Sequence, residues 1–285
     1  MSTLTGIKAL KNLAINGGQK IRGKPWPGRS QLGLEEKMAV DLLFDDAIRS
    51  GEPFKYNGET EEAFCEEAAD FMGGGYVDAV SSGTAAVFVA LRALNIEPFT
   101  EVIVGPITDP GGVMPIVMLN CIPVVSDAVP GSYNMGPKQV EDVISRRTSA
   151  ILVGHIAGEP ADIEGIMELA RRYNVPVVED CAQAHGATIN GRLVGSFSEI
   201  SAFSTMYGKH MITGGQGGFV YTKSEELYRS ARMASDRGKP FFLPDGSTNQ
   251  IASLNFNLND LSAAIGRVQI KKVHAIAEGR RTFVS

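Results

Sequence analysis

The sequence predicts an α/β protein built on a mostly parallel, seven-stranded sheet with helices on both faces. Three observations predict this class. Apolar runs of roughly four to six residues alternate with helical segments of about ten residues, a pattern typical of covered parallel sheets. The chain has 285 residues, of which 44% are apolar, enough to bury a large core. Its 32 glycines cluster between the periodic segments, where loops approach ligands closely.

The predicted elements follow one another in a regular order after a glycine- and proline-rich N-terminal arm, residues 1–33. Apolar runs predict strands at 76–80, 101–104, 121–125, 150–153, 175–178, 200–204 and 218–222. Apolar residues at helical spacing predict helices at 34–49, 59–72, 84–94, 112–120, 137–144, 163–173 and 224–236. Residues 236–253 are predicted to form a loop, and one long helix is expected over 258–276.

Composition and charge argue against several classes of protein. The net charge of −5 and the lack of a long basic run argue against nucleic-acid binding. No apolar run approaches the ~18 residues that span a bilayer, so we expect no membrane segment. The N-terminus lacks a secretory leader pattern, and Cys65, Cys121 and Cys181 lie far apart, so we expect reduced thiols and a cytoplasmic location. The four histidines lack helical pair spacing, which argues against a metal site.

An aspartate and a lysine that follow predicted strands indicate the chemistry. Asp180 follows the apolar run 175–178, and Lys209 precedes the glycine-rich stretch 214–218. Ligands of parallel sheets bind beyond the carboxyl ends of the strands, where both residues are expected. An enzyme that uses pyridoxal 5′-phosphate (PLP) needs both residue types. The lysine bonds to the cofactor's aldehyde, and the aspartate keeps the pyridine nitrogen protonated so that the ring withdraws electrons.

A third segment, Ser82-Gly83-Thr84, follows the first strand and opens a helix, where backbone amides and a hydroxyl can bind phosphate. Each of the three segments alone has a simpler interpretation, as a helix cap or, for the lysine, as a solvated side chain. Their order along the chain favours a PLP site. A general α/β nucleotide-binding protein is a less specific alternative, and the lack of a G-x-G-x-x-G or Walker motif argues against it.

Seven stretches carry a family resemblance that runs from about Leu13 to the end of the chain. They are Ala14–Gly18, Ser82–Ala86, Gly154–Asp162, Glu179–Ala187, Phe203–Lys209, Gly214–Gly218 and Asn255–Gly266. In this order they resemble the DegT/DnrJ/EryC1/StrS family, the sugar aminotransferases of PLP fold type I. The resemblance implies a PLP-binding large domain over 34–257. It also implies a small C-terminal domain that is largely absent here, with residues 258–285 forming the helix that leads to it.

The resemblance implies a role for each matching residue. Lys209 would carry the cofactor and move the substrate's proton, and Asp180 would pair with the pyridine nitrogen. Gln183 would contact the 3′-oxygen of the ring. The phosphate would be held by Gly83, Thr84 and Ser204 and, from the neighbouring subunit of a homodimer with a shared active site, by Asn255.

The activity implied by the resemblance is a ping-pong amino transfer. Glutamate or glutamine would donate the amino group. A keto sugar, nucleotide-linked, or a keto cyclitol would accept it, in the biosynthesis of amino sugars, antibiotics or cell-surface glycans.

Three departures from the family pattern keep alternatives open. The stretch 105–112 lacks the aromatic residue that covers the cofactor ring in the family. Counting back from Gln216 places His210, instead of Lys209, at the family's lysine position, as in the sugar dehydrases. A PLP-dependent deoxy-keto-sugar dehydratase with His210 as base is therefore an alternative. Relatives also continue into a second domain, so a catalytically inactive PLP-binding relative is another.

Overall fold

The structure, a computed structural model, describes residues 13–24, 32–244 and 247–284. The chain divides into two compact units, residues 1–31 and 32–285. In the first unit, Ala14–Asn16 form a 3-10 turn that ends at Gly17, whose φ of 88° lies in the left-handed region. The predicted domain boundaries at 33 and 257 remain predictions.

The second unit contains a seven-stranded sheet, a two-stranded hairpin and surrounding helices. The strands are β1 (Tyr76–Val80), β2 (Glu101–Val104), β3 (Ile122–Val125), β4 (Thr148–Gly154), β5 (Val177–Asp180), β6 (Thr188–Ile189), β7 (Arg192–Leu193), β8 (Ile200–Ser204) and β9 (Gly218–Thr222). The helices are α1 (Leu34–Ser50), α2 (Glu59–Phe71), α3 (Gly83–Ala93), α4 (Pro110–Met118), α5 (Pro137–Glu141), α6 (Ile163–Tyr173), α7 (Glu225–Ser235), α8 (Asp260–Ile270) and α9 (Val273–Val284).

The large sheet has the strand order β1-β9-β8-β5-β4-β2-β3. Only β9 pairs antiparallel, with β1 on one side and β8 on the other, and the remaining neighbours pair parallel. The predicted mostly parallel, seven-stranded sheet is therefore confirmed. Because β2, β4, β5 and β8 run in one direction, their last residues lie along one edge of the sheet, which we call the carboxyl edge.

Helix α6 illustrates how local sequence sets these elements. The Asp162 side chain accepts a hydrogen bond from the Gly165 amide at 3.0 Å and so caps the first turn. The apolar residues at 163, 166, 169 and 170 recur at helical spacing and are buried. The helix ends at Asn174, which adopts the left-handed conformation. None of the helices in the described ranges is long and apolar enough to cross a bilayer.

The prediction of one long helix over 258–276 is wrong, because α8 and α9 are separated by a turn at residues 271–272. There the Lys272 amide donates to the Gln269 carbonyl, a three-residue spacing, at 2.9 Å. The Lys272 ammonium also lies 2.6 Å from a Glu36 oxygen, which accepts a 2.8 Å bond from the Gln269 side chain. The turn thus carries side chains that anchor α1.

The hairpin β6–β7 is missing from the sequence prediction. Its connecting residues, Asn190 and Gly191, have φ values of 51° and 81°. An Asn-Gly pair with both residues at positive φ is a typical two-residue hairpin turn. The sequence therefore contains a signal for this element.

Candidate active site

The last residue of β5, Asp180, lies in a cleft at the carboxyl edge. The cleft is also lined by the end of β2, by the loop that follows it, by residues 133–135 and by the end of β4. One carboxylate oxygen of Asp180 accepts a hydrogen bond from the Ala182 amide at 3.0 Å. Burial raises the pKa of Asp180 above its ordinary value, although the Ala182 amide and the charge of Lys209 act against this shift. Asp180 is therefore a half-buried acid that accepts a hydrogen bond from the Ala182 amide.

Lys209 lies in the loop between β8 and β9, which backbone hydrogen bonds close into a compact turn. The Thr205 amide donates to the Gly217 carbonyl at 2.8 Å, and the Tyr207 amide donates to the Gly215 carbonyl at 3.0 Å. Inside the loop, the hydroxyls of Thr205 and Thr213 lie 2.7 Å apart. The two flanking strands fix this loop at the carboxyl edge, close enough for the Lys209 charge to act on Asp180.

His210, the next residue, contacts α9. Its Nε2 lies 2.8 Å from the guanidinium of Arg280 on α9, and its ring centroid lies 5.9 Å from that of buried His185. Because a guanidinium can only donate, Nε2 of His210 accepts in this contact. Lys209 is one of the charges that act on Asp180 and oppose the rise in the pKa of this carboxyl.

The start of α3 meets the end of β8 at unusually short range. Ser82 caps α3 by accepting from the Ala85 amide at 3.0 Å. A Cβ atom at Gly83 would lie 2.7 Å from Oγ of Ser204, and one at Gly111 would lie 2.6 Å from Oγ1 of Thr84. Both positions therefore need glycine. The first amides of a helix lack intrahelical acceptors, so this end of α3 suits an anion.

Two further predicted residues, Gln183 and Asn255, make contacts of their own. The Gln183 Oε1 accepts a 2.9 Å bond from the amide of Ala157, in the loop after β4. Asn255 is exposed, and its Oδ1 accepts from the Asn257 amide at 3.1 Å. The intervening Phe256 carbonyl accepts from the Ser81 amide at 2.7 Å, which places this segment beside the start of α3.

Sequence reasoning missed a buried network directly beside Asp180. Glu179 has no exposed surface, and its carboxylate accepts from the amides of Gly195, Phe197 and Ser198 at 2.6, 3.0 and 2.8 Å. The ring of buried His155 lies 3.2 Å from the same carboxylate. Burial raises the pKa of Glu179, but these hydrogen bonds outweigh it and hold the pKa below its ordinary value.

The tautomer of His155 follows from its two contacts. Its Nδ1 accepts from the Ala161 amide at 3.0 Å, so Nε2 carries the proton that is donated to Glu179. His155, Glu179 and Cys181 place potential metal-ligand atoms within 4.8 Å of one another, the one such group in the described ranges. Since hydrogen bonds already occupy both His155 nitrogens and the Glu179 carboxylate, this group suits a structural network better than a metal.

The stretch without the expected aromatic residue, 105–112, forms one wall of the Asp180 cleft. Ile107 and Thr108 line the cleft from this stretch, and Tyr133 lines it from another loop. Tyr133 remains 58% exposed. Helix α4 begins in the same stretch, and a Cβ at Gly112 would lie 3.6 Å from Oδ2 of Asp180.

Comparison with known proteins identifies the family. Residues 39–285 match the DegT/DnrJ/EryC1/StrS aminotransferase family. The chain belongs to this family. The family resemblance is thereby confirmed, and six of the seven stretches lie within the matched residues.

Several family members with known names or structures are similar to the chain. It is 32% identical over 264 residues to the L-glutamine:2-deoxy-scyllo-inosose aminotransferase of Streptomyces fradiae, covering 89% of this chain and 62% of that protein. An aminotransferase structure from Psychrobacter cryohalolentis shares 35% identity with a TM-score of 0.78, covering 87% of this chain and 63% of that one. The structure of 3-amino-5-hydroxybenzoic acid synthase shares 29% identity with a TM-score of 0.81, covering 89% and 65%. The chain thus spans less than two-thirds of the length of each.

Proposed function

We propose that this protein is a PLP-dependent aminotransferase that moves an amino group from glutamate or glutamine to a keto sugar or keto cyclitol. The observation that carries the proposal is the position of Asp180 at the carboxyl edge, within electrostatic range of Lys209. The names of similar family members support the acceptor class, since they include an L-glutamine:2-deoxy-scyllo-inosose aminotransferase and a GDP-perosamine synthase.

The residues present fit PLP at three points. The cradle of Gly83 and Ser204 at the start of α3 offers amides and a hydroxyl to a phosphate group. Burial raises the pKa of Asp180 by disfavouring its carboxylate, and a cationic partner such as a protonated pyridine nitrogen would offset that effect. Gln183 uses its Oε1 to accept from Ala157, which leaves its amide group to donate to the ring's 3′-oxygen.

When bound, PLP supplies an electron sink for the substrate carbon. The protein would orient the cofactor and the substrate, and its side chains would hold and move protons. Asp180 holds a proton on the pyridine nitrogen, and the Glu179 network fixes the strand that carries Asp180. Lys209 would carry the proton between the substrate carbon and the cofactor. We propose further that the protein is a homodimer, in which the exposed Asn255 reaches the phosphate site of the partner subunit.

The proposal is tested by adding PLP to the purified protein, reducing with borohydride and locating the bound cofactor by peptide mass spectrometry. We expect one labelled peptide, containing Lys209. The variant Lys209→Ala should lose the label, whereas His210→Ala should keep it. Label that survives in Lys209→Ala would refute the assignment of Lys209. Amino transfer is assayed on a separate, unreduced sample with PLP, glutamine and either 2-deoxy-scyllo-inosose or a nucleotide-linked keto sugar. If Lys209 carries the label but no transfer to these acceptors occurs, the inactive relative is favoured.

A further inference from the structure

A second cavity lies far from Asp180, at the opposite edge of the sheet. Its volume is about 260 Å³, and its walls are α2, the start of β1 and α7. Strands β1 and β8 both run antiparallel to β9, so the start of β1 at Tyr76 and the end of β8 at Ser204 lie at opposite edges. We call this cavity the α2–α7 pocket. The site proposed for PLP does not include it.

Glu61, in the first turn of α2, is the notable residue of the α2–α7 pocket. It lines the pocket, yet its side chain is only 1% exposed. One carboxylate oxygen accepts from the Asn57 amide, and the other, Oε1, is buried with no hydrogen-bond partner. A buried polar atom without a partner is unfavourable, so it marks a place where a ligand's donor is expected.

The surroundings of Glu61 carry an excess of negative charge. Arg232 lines the pocket, but Nη1 of this arginine lies 3.0 Å from Asp78, which neutralises it. One oxygen of Asp78 and one of Asp260 are likewise buried without a partner. The exposed carboxylates of Glu62 and Glu66 form part of the rim.

The pocket also has an aromatic wall. The rings of Tyr76 and Tyr228 are stacked, with centroids 5.1 Å apart, and both line the pocket. Aromatic rings attract ammonium groups through their negative faces. Carboxylates together with tyrosine rings are therefore suited to an organic cation and not to an anion.

We propose that the α2–α7 pocket binds a small organic amine in its ammonium form, with Glu61 as its counter-ion. The volume of about 260 Å³ accommodates such a molecule. A bare metal ion is a poorer fit, because within the described ranges the acidic atoms of this pocket do not form a group of three ligands within 4.8 Å. This inference does not rest on the proposed function.

Protonation of Glu61 provides a signature of binding. Burial raises the pKa of Glu61 to about 7, with Asp78 and Asp260 adding to the shift and the Asn57 amide and Arg232 opposing it. The titratable groups that line the pocket or act on Glu61 are Glu62, Glu66 and Cys65 on α2, Tyr76 and Asp78 on β1, Tyr228 and Arg232 on α7, and Asp260 on α8. An ammonium ligand requires ionised Glu61, so affinity should rise from pH 6 to pH 8. Binding at pH 7 should release about half a proton.

The experiment is calorimetric titration with 1,4-diaminobutane at pH 6, 7 and 8, in two buffers that differ in ionisation heat. We expect saturable binding, proton release at pH 7 and a dissociation constant that falls several-fold between pH 6 and pH 8. The neutral analogue 1,4-butanediol should bind at least tenfold more weakly. Equal binding of the diol, or no saturable binding of the diamine, would overturn the proposal.

Two variants locate the site. Glu61→Gln keeps an acceptor for the Asn57 amide and should weaken diamine binding at least tenfold while abolishing proton release. Glu59→Gln, on the exposed side of the same helical turn, is the matched control and should leave binding unchanged. Unchanged binding in Glu61→Gln contradicts the proposal. If that variant does not fold, the proposal is tested by the dissociation constants of the diamine for the wild-type protein at pH 6, 7 and 8. A dissociation constant that does not change between pH 6 and pH 8 contradicts the proposal.

Discussion

Glu179 and Asp180 are adjacent carboxylates on one strand, and they have opposite environments. Glu179 accepts from three backbone amides and lies against His155, and its pKa is held below its ordinary value. Asp180 accepts from the Ala182 amide, and burial raises its pKa. Successive side chains of a strand point to opposite faces. One strand can therefore place a structural carboxylate, Glu179, on one face and a carboxylate available to a ligand, Asp180, on the other. One face is saturated with internal donors, and the other retains capacity for a ligand.

The largest effect is expected from replacing Glu179, the carboxylate that accepts several backbone hydrogen bonds. Glu179→Ala leaves the amides of residues 195, 197 and 198 without their acceptor and should cost about 3–5 kcal/mol of unfolding free energy. Urea denaturation followed by circular dichroism measures this. The exposed Glu168→Ala on α6 is the control and should stay within ~0.5 kcal/mol of wild type. A loss under ~1 kcal/mol in Glu179→Ala would show that water replaces the network.

The second carboxylate should matter for the ligand and little for the fold. Asp180→Asn removes the charge proposed to hold the pyridine nitrogen, so the dissociation constant for PLP should rise about 10- to 100-fold, or about 1.5–3 kcal/mol. Absorbance titration with PLP measures this. The unfolding free energy of the PLP-free protein should not decrease, because burial disfavours the ionised aspartate. Unchanged PLP affinity would contradict the role proposed for Asp180.

The pH dependence of stability should also distinguish Glu179 from Asp180, because their pKa values are shifted in opposite directions. The folded-state pKa of Glu179 is lowered, so its stabilising contribution is present above its ordinary pKa of 4.5 and is lost as pH falls below it. The folded-state pKa of Asp180 is raised, so ionisation of Asp180 lowers stability as pH rises above 3.8.

The two isosteric amides should therefore diverge from wild type in opposite directions as pH rises from 3 to 7. Glu179→Gln should become less stable than wild type, and Asp180→Asn should become more stable. Urea midpoints at several pH values measure both differences. Parallel pH curves for the two variants would contradict the assignment.

The smallest effect is expected at the β6–β7 hairpin, which precedes the amides that donate to Glu179. Gly191→Ala places a side chain at φ 81° in open space and should cost about 1 kcal/mol. Gly279→Ala on α9 is the matched control with the opposite sign, because alanine favours a helix. Thermal unfolding measures both. If Gly191→Ala costs as much as Glu179→Ala, the hairpin and the network form one cooperative unit.

The sheet could be predicted because its strands are short apolar runs, such as 101–104 and 150–153, whose burial on both faces leaves a local signature. Asp180 and Lys209 could be proposed for the same reason, since each follows such a run. The break between α8 and α9 has no comparable signal. Apolar residues continue at helical spacing across Lys271 and Lys272, and contacts with Glu36 accompany the turn.

The Glu179 network was beyond sequence reasoning for a different reason. His155 lies 24 positions before Glu179, and the amide donors lie 16 to 19 positions after it. Three chain segments must come together before Glu179 can accept these hydrogen bonds. The donors are backbone amides, which every residue except proline has, so the residue types do not identify them. Nothing in the residue types alone separates Glu179 from Asp180 as the structural carboxylate.

The alternation of these two carboxylates also makes the pairing register of β5 critical. Val178 pairs with Ile200, and Asp180 pairs with Ala202 on β8. Deleting one residue from β5 would exchange the faces of Glu179 and Asp180, moving the longer side chain into the cleft and the shorter one among the amide donors. Insertions and deletions in residues 175–178 should therefore be tolerated far less than apolar substitutions there, and a deep mutational scan would show this as intolerance to length change.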